Sequence, residues 1–228
     1  MSSDYDKYVR TEWEMFVADT QRGRASLEAV AGLLVARVLD VGCGAGQELL
    51  PFAPLADICV GVDLSPEAGR AGRELFGGLG LNTKVAFARA IAEALPFRKA
   101  SFDLVICRLA LPYTDNARAL AEIARVLEPD GVLLLKIHHA RYYWRKFWNG
   151  LLARDVLSMV HAARVLAAGL VYHSTGKQLR SRLLSAETFQ TEWLLRHELD
   201  RCGLEIGRTL PGSDPATPFF MIGRCGFL

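Results

Sequence analysis

A glycine-rich turn is the segment of this sequence whose residue types best suit a bound ligand. Residues 39–46 read Leu-Asp-Val-Gly-Cys-Gly-Ala-Gly and directly follow the start of a short apolar run. Glycines in such a turn adopt backbone conformations closed to other residues and let a ligand approach the chain closely. We predict a short helix over residues 46–55, whose free N–H groups would point at the same ligand.

An acidic residue follows this turn at a spacing typical of nucleoside binding. Asp63 ends the next apolar run, 23 residues after Asp40, and a carboxylate there can accept hydrogen bonds from both ribose hydroxyls. A dinucleotide fingerprint would need a third glycine where the chain has Gln47. The spacing therefore favours S-adenosylmethionine, which has no pyrophosphate, over NAD. The alternative is a ligand-free glycine turn between a strand and a helix.

Short apolar runs alternate with helical stretches over much of the chain, which predicts a parallel sheet covered by helices on both faces. The expected fold class is α/β, a Rossmann-like and mostly parallel seven-stranded sheet whose ligand site lies at the carboxyl ends of the strands. Helices are predicted after Ser65, over 114–128 and over 187–202. Strands are predicted over 37–41, 58–62, 85–88, 102–107, 132–137, 204–210 and 219–223.

The alternating pattern stops over residues 138–184, which we predict to be a helical insertion within a single domain of residues 1–228. The segment holds eight lysines and arginines against one acid, and five aromatic residues fall between Tyr142 and Trp148. Three interpretations stay open: a cap over an acceptor site, a surface that rests on an anionic membrane, or a nucleic-acid-binding surface. A solvated basic helix whose aromatic residues belong to the core is the alternative to all three.

Composition narrows the class of protein. A chain of 228 residues with 51% apolar residues, 23% charged residues and a net charge of +2 suits one globular domain and does not indicate a nucleic-acid partner. Its five cysteines show no disulfide or metal-ligand spacing, so we expect reduced thiols, no metal site and a cytoplasmic protein. The most apolar stretch, residues 156–173, contains His161 and Arg164. We therefore predict no transmembrane segment.

Several motifs in order give the sequence a family resemblance. VLDVGCGAG, VGVDLSPE, AEALPF, SFDLVICRLAL and ALAEIARVLEPDGVLLL follow one another between residues 38 and 135. Through them the chain resembles the class I S-adenosylmethionine-dependent methyltransferases, in particular the type 11 group of small-molecule enzymes. The resemblance implies S-adenosyl-L-methionine as cofactor and a small-molecule acceptor, lipophilic or anionic. The alternatives are a nucleic-acid-modifying methyltransferase and a non-catalytic module that senses S-adenosylmethionine or its demethylated product.

The resemblance also implies a role for each matching position. Asp40 and the backbone of residues 42–46 would hold the methionine portion, and Asp63 the ribose. Ile91 stands where the family often has an acid that accepts a bond from the adenine amino group, so the source of that contact is not indicated. The implied cofactor-binding residues are Asp40, Gly42, Cys43, Gly44, Gly46, Asp63, Leu64, Ile91, Ala92, Cys107 and Arg108.

Few residues are candidates for acid–base chemistry. The sulfonium methyl is already activated, so positioning the acceptor supplies much of the catalysis and a base is needed only when the acceptor loses a proton. His138 and His139 follow the fifth predicted strand and could accept that proton, as could Tyr113. The alternative for the histidines is hydrogen bonding to the backbone at the strand end, and for Tyr113 a packing role.

Two further features have paired interpretations. The N-terminal segment with Tyr5, Tyr8, Arg10 and Trp13 either folds over the cofactor as a lid or docks as a surface helix. Arg108 either anchors an anionic acceptor or pairs with a nearby acid. The sequence does not indicate the acceptor, the atom that is methylated or the oligomeric state.

Overall fold

A seven-stranded sheet forms the centre of the protein, seen here in a computed structural model that describes residues 4–178 and 187–226. The strands are β1 (Arg37–Val41), β2 (Ile58–Asp63), β3 (Val85–Arg89), β4 (Phe102–Arg108), β5 (Leu127–Lys136), β6 (Leu204–Thr209) and β7 (Phe219–Arg224). Their order is β3-β2-β1-β4-β5-β7-β6, with β1 to β5 parallel and β7 antiparallel to both neighbours. The predicted Rossmann-like, mostly parallel sheet is confirmed.

Helices cover both faces of this sheet, and two of them follow β5 as predicted. Their first residues follow helix-capping rules: the Ser65 side chain accepts a hydrogen bond from the backbone N–H of Glu67, and Pro66 takes the first helical position. The helices are α1 (Asp4–Ala18), α2 (Thr20–Ala29), α3 (Pro66–Gly78), α4 (Asn116–Val126), α5 (Ala140–Ala153), α6 (Val156–Thr175) and α7 (Glu192–Asp200), with 3-10 turns at Gln47–Leu49 and Leu111–Tyr113.

The core lies on both sides of the sheet because successive side chains of a strand point to opposite faces. On β4, Leu104 and Ile106 pack in the cluster that contains residues of α1 and α3. Val105 and Cys107 pack in the cluster that contains residues of α4 and α7. Since both faces are buried, the central strands are continuously apolar, and polar chemistry is confined to the loops that follow them.

The predicted helix over residues 46–55 is wrong. The structure has only the 3-10 turn Gln47–Leu49, followed by further turns. Pro51 has no N–H to donate to the carbonyl of residue 47, and each proline disfavours the helical conformation of the residue before it. With Pro54 three residues further on, an α-helix cannot propagate.

Two other predicted boundaries are also wrong. The helix predicted over 187–202 begins only at Glu192, where the Thr191 side chain accepts a bond from the N–H of Leu194. Just before it, the N–H of Gln190 donates to the carbonyl of His138, beyond the end of β5. Strand β5 begins at Leu127, since this residue pairs with Phe102 before an irregularity in the register. Residues 179–184 of the predicted insertion lie outside the described residues.

The buried carboxyl of Glu198 on α7 makes the stability depend on pH. Burial raises the pKa of Glu198 to about 8, compared with about 4.3 for an unfolded chain. Between these values the folded protein binds a proton that the unfolded chain has lost, so the free energy of unfolding decreases as pH rises. Replacing Glu198→Gln should reduce this decrease by at least about 1 kcal/mol between about pH 5 and about pH 8.5.

Urea unfolding of the wild type and of two variants at both pH values measures this effect. Glu192→Gln is the matched control, because Glu192 lies on the same helix with an exposed side chain paired to Arg196. Parallel pH dependence in the wild type and the Glu198→Gln variant would contradict the prediction.

Candidate functional site

The glycine turn after β1 has a shape that only glycine permits. Gly42 and Gly46 have φ values of 73° and 82°, in the left-handed region. A Cβ atom at Gly42 would lie 2.3 Å from the Cβ of Ala110, and one at Gly46 would lie 2.9 Å from the ring of Phe87. The N–H of Gly42 donates to the carbonyl of Val62 at 2.8 Å. The turn is therefore held in one conformation by its neighbours.

Asp63 lies at the end of β2, against this turn, as the sequence predicts. Its Oδ2 accepts hydrogen bonds from the N–H of Gly44 at 3.1 Å and from the hydroxyl of Tyr5 at 3.2 Å, and its Oδ1 accepts from the N–H of Ser65 at 2.9 Å. The backbone donors fix the carboxylate. The Tyr5 hydroxyl is a donor that a ribose hydroxyl can replace, since α1 is a surface helix.

Asp40 has an unusual environment. Its carboxyl is 1% exposed, and its Oδ2 has no hydrogen-bond partner among the described residues. Burial, with the neighbouring carboxylates of Glu48 and Asp63, raises the pKa of Asp40 well above its ordinary value. A buried acceptor without a donor is costly, so this oxygen is suited to a donor supplied by a ligand.

Three other predicted positions border the same edge of the sheet. Leu64 follows β2 and is 61% exposed, and Ile91 follows β3 and is 43% exposed. The two strands are joined near their ends, where the N–H of Ala90 donates to the carbonyl of Asp63. Ala92 is partly buried against the core. Two exposed apolar side chains after adjacent strands offer a surface for a flat apolar ring.

Arg108 at the end of β4 pairs with an acid, which is one of its two predicted roles. Its Nε lies 3.2 Å from Oε1 of the buried Glu48, and Arg22 of α2 lies 2.8 Å from the same oxygen. Burial beside Arg108 and Arg22 lowers the pKa of Lys136 to about 8. Sequence reasoning missed Glu48 and Arg22, because nothing in their local pattern distinguishes them from surface charges.

The N-terminal helix α1 lies across the turn and α3. Besides the bond from Tyr5, its Asp6 pairs with Arg70 at 3.2 Å, and the ring of Trp13 packs edge-on against Phe76 at 5.1 Å. Burial, Glu12 and the hydroxyl of Tyr142 raise the pKa of Tyr8. Helix α1 is thus docked by Trp13, and it also reaches the binding edge between Asp63 and α5.

The thiols near the turn have structural roles. All five cysteines are free. Burial and Asp40 raise the pKa of Cys107 to about 12, and burial raises that of Cys43 well above its ordinary value. Neither is a nucleophile at neutral pH. Within residues 4–178 and 187–226 no cluster of potential metal ligands occurs.

On the other side of the edge, beyond β5, polar side chains surround the buried carboxylate of Glu187. Oε1 of Glu187 accepts the hydroxyl proton of Tyr143, and Oε2 lies 3.2 Å from Nε2 of His161. The phenol of Tyr113 also hydrogen-bonds to Glu187. Nδ1 of His138 lies 3.0 Å from the hydroxyl oxygen of Tyr143. Two predicted residues, His138 and Tyr113, therefore meet at a carboxylate that sequence reasoning did not consider.

This network assigns the tautomer of His138. An ionised carboxylate only accepts hydrogen bonds, so the single hydroxyl proton of Tyr143 points to Glu187. Nδ1 of His138 must then be the donor toward the hydroxyl oxygen of Tyr143, which leaves Nε2 as the acceptor of the neutral ring. His139 differs, because its Nδ1 accepts a bond from the N–H of Arg141 and caps α5. The alternative of backbone hydrogen bonding thus describes His139.

Sequence comparisons agree with this geometry. Residues 39–135 match the family described as methyltransferase domain. The uncharacterized methyltransferase YcgJ of Bacillus subtilis (strain 168) is 41% identical over 105 residues, which are 46% of this chain and 41% of that protein. The ubiquinone/menaquinone biosynthesis C-methyltransferase UbiE of Pasteurella multocida is 36% identical over 104 residues, 43% of this chain and 38% of that protein. The chain thus spans less than half the length of both relatives.

Solved structures share the whole fold. The crystal structure of B. subtilis YcgJ superposes with a TM-score of 0.61 at 22% identity, covering 91% of this chain and 100% of that chain. The structure described as the [4+2]-cyclase SpnF has a TM-score of 0.58 at 24% identity, and the match covers 83% of this chain and 58% of that chain. Residues 39–135 thus match a methyltransferase domain, and the chain resembles the class I S-adenosylmethionine-dependent methyltransferases of the type 11 group.

The residues of this methyltransferase domain fit its cofactor, S-adenosylmethionine. The unpartnered Oδ2 of Asp40 is suited to the cationic amino group of the methionine portion. Gly42 and Gly46 hold the turn in left-handed conformations and close to Ala110 and Phe87, so its shape is fixed before a ligand binds. Asp63 is suited to the ribose hydroxyls, and Leu64 with Ile91 to the adenine ring.

Removing the carboxylate of Asp63 should weaken cofactor binding. Asp63→Ala should cost about 1.5–3 kcal/mol in the binding of S-adenosylhomocysteine, roughly 10- to 150-fold in affinity, because hydrogen bonds to charged groups are the stronger kind. Asp57→Ala is the control, since Asp57 is exposed just before β2. Calorimetric titration measures both, and equal affinities for the two variants would show that Asp63 does not bind the ribose.

Proposed function

We propose that the protein transfers the methyl group of S-adenosylmethionine to a small-molecule acceptor, lipophilic or anionic, that binds between α1 and α5. The observation that carries the proposal is the buried, unpartnered Oδ2 of Asp40 beside a glycine turn already held in its binding conformation. This oxygen has no hydrogen-bond donor within the described part of the fold, and we assign it to a donor from the cofactor.

Different residues of the chain would bind the cofactor, position the acceptor and exclude water. Asp40, Asp63 and the turn would hold the cofactor, and the residues after β4 and β5 would border it. S-adenosylmethionine supplies a methyl group that is already activated by its sulfonium. The protein's main contribution is then to hold an acceptor in line with that group and to exclude water. Helix α1, docked by Trp13, contributes to the exclusion of water at the edge it covers.

His138 is the residue that we assign as proton acceptor when the acceptor molecule is a phenol or hydroxyl. Its neutral ring keeps the lone pair on Nε2, because Tyr143 engages Nδ1. Tyr142 stacks on the ring at a centroid distance of 4.2 Å and fixes its plane. Tyr113, which is 56% exposed, lies at the open side of the cluster and is suited to orient the acceptor.

Glu187 and Tyr143 are positioning residues that act through His138. Burial would raise the pKa of Glu187, but the nearby His138 and the hydrogen bond from Tyr143 outweigh it and lower the pKa below its ordinary value. Burial and Glu187 in turn raise the pKa of Tyr143, so the phenol keeps its proton. An ionised Glu187 with a protonated Tyr143 holds one tautomer of His138 and stabilises its charged form after proton transfer.

An anionic group on the acceptor is supported by Lys136. This side chain makes no ion pair with a residue in the described part of the chain, and it lies beside Arg108 in the register of β4 and β5. Burial, together with repulsion from Arg108 and Arg22, lowers the pKa of Lys136 to about 8. A carboxylate or phenolate of the acceptor would relieve that repulsion.

A screen with methyl-labelled S-adenosylmethionine tests the proposal. Acceptor pools of phenols, quinols, carboxylic acids, amines and RNA are incubated with the protein, and labelled products are extracted into organic or aqueous phases. Label in a small molecule supports the proposal. Label in RNA would favour the nucleic-acid alternative. Tight binding of S-adenosylhomocysteine with no product in any pool would favour a sensing module.

The two adjacent histidines provide a matched pair for the acid–base step. With a hydroxyl acceptor from the screen, His138→Gln should lower kcat by roughly 100-fold or more, since general-base catalysis contributes about that much. His139→Gln should change kcat little, because His139 only caps α5. Steady-state kinetics across pH measure both. A His138→Gln variant that keeps the wild-type pH profile would show that His138 is not the base.

A further inference from the structure

The hairpin formed by α5 and α6 exposes apolar side chains at its tip. Leu152 and Leu157 are both 83% exposed on either side of the turn, and Val156 is 65% exposed. Trp144 and Trp148 of α5 are also exposed and pack edge-on against each other at 6.0 Å. Trp144, Trp148 and Leu152 follow one another at four-residue intervals on α5, so these side chains form an apolar stripe that ends at the turn between the helices, and we call this stripe the hairpin tip.

Helix α6 is unusually apolar for a helix whose surface is largely exposed. It is the one helix among the described residues that is long and apolar enough to cross a membrane by length and composition, and 28% of its apolar window is buried. The buried part belongs to the base of the hairpin, where Ala162 and Val165 pack with Tyr143. His161, bound to Glu187, ties this base to the domain. The tip therefore projects while the base stays anchored.

The positive charge along the hairpin favours an anionic partner. Five basic residues and one acid lie between Ala140 and Thr175. The acid, Asp155, caps α6 by accepting a bond from the N–H of Ser158. The exposed Arg141 and Arg154 form no ion pair with any residue that the structure describes. A second copy of the chain would bring like charges together, whereas an anionic lipid surface complements them.

We propose that the hairpin tip docks on the surface of an anionic lipid bilayer. Leucine and valine side chains would enter the acyl boundary, and the two tryptophans would lie at headgroup depth, where their amphipathic rings are favoured. Arg141 and Arg154 would meet anionic headgroups. The hairpin base carries Tyr143 and His161, so docking would bring the Glu187 cluster near a lipophilic acceptor. The docking itself does not depend on methyl transfer.

Vesicle sedimentation tests the docking. The probes are vesicles of phosphatidylcholine and vesicles of phosphatidylcholine with phosphatidylglycerol at a ratio of about 7:3, a moderately anionic surface. The wild type should bind the mixed vesicles and lose that binding at high salt. Leu152→Ser with Leu157→Ser should weaken binding by about tenfold or more. Leu34→Ser with Leu55→Ser is the matched control, because those side chains are equally exposed elsewhere and should leave binding unchanged.

A second pair of variants isolates the charge. Arg141→Gln with Arg154→Gln should weaken binding to the mixed vesicles by about fivefold per charge, while Arg98→Gln with Lys99→Gln makes the same charge change elsewhere and should have little effect. Calorimetry with S-adenosylhomocysteine shows in each case that the cofactor site is intact.

Three results would overturn the proposal. They are wild-type protein that binds neither kind of vesicle, control variants that are as impaired as the tip variants, and protein that only detergent releases from vesicles. The last result would show insertion of α6 across the bilayer. A fourth result, a dimer in solution that the Leu152→Ser and Leu157→Ser changes dissociate, would assign the tip to a second copy instead.

Discussion

The contact between Gly42 and Ala110 is the constraint on which the binding edge depends. It joins the turn after β1 to the loop after β4, and a Cβ atom at residue 42 would lie 2.3 Å from that of Ala110. Because β1 and β4 are hydrogen-bonded neighbours, the close approach brings the ends of both strands to one place. The glycine turn, Asp40 and the start of the Glu187 side of the site are all positioned by this junction.

Two buried carboxylates then define opposite sides of the same edge. Asp40 lacks a hydrogen-bond partner on one oxygen within the described chain, whereas Glu187 accepts bonds on both oxygens. Buried polar groups are normally satisfied within the fold, so the contrast has a functional meaning. Glu187 organises the protein's own side chains, and we propose that Asp40 meets the cofactor. The shared fold with the [4+2]-cyclase SpnF shows why such local chemistry matters, since the fold itself does not determine the reaction.

The features that depend on neighbouring residues in the sequence could be predicted from local patterns. The strand ends at Val41 and Asp63, the cap at Ser65 and the helical insertion after β5 follow from apolar runs and turn residues, and the structure has them all. The predicted helix after Gly46 failed because the prolines at 51 and 54 outweighed the helical spacing of its apolar residues.

Long-range partners could not be predicted from one sequence. Glu187 meets Tyr143 across 44 residues of chain, and Arg108 meets Glu48 across 60. Neither acid differs in type or spacing from an exposed glutamate, and only the packing of the helices against the strand ends buries them. The same holds for His138 and His139, which are identical neighbours in sequence and acquire different roles from their bonding partners.

Calorimetric titration of the wild-type protein with S-adenosylhomocysteine and with NAD⁺ tests the central claim most directly. The glycines of the turn are spaced as GxGxG, and Gln47 stands where a dinucleotide site would have a glycine. Asp40 offers an unpartnered oxygen to a cationic donor. We therefore expect the site to bind the thioether nucleoside and not the pyrophosphate of NAD⁺. The account predicts saturable heat at one site for S-adenosylhomocysteine and none for NAD⁺. Saturable heat for NAD⁺ with none for S-adenosylhomocysteine would contradict it.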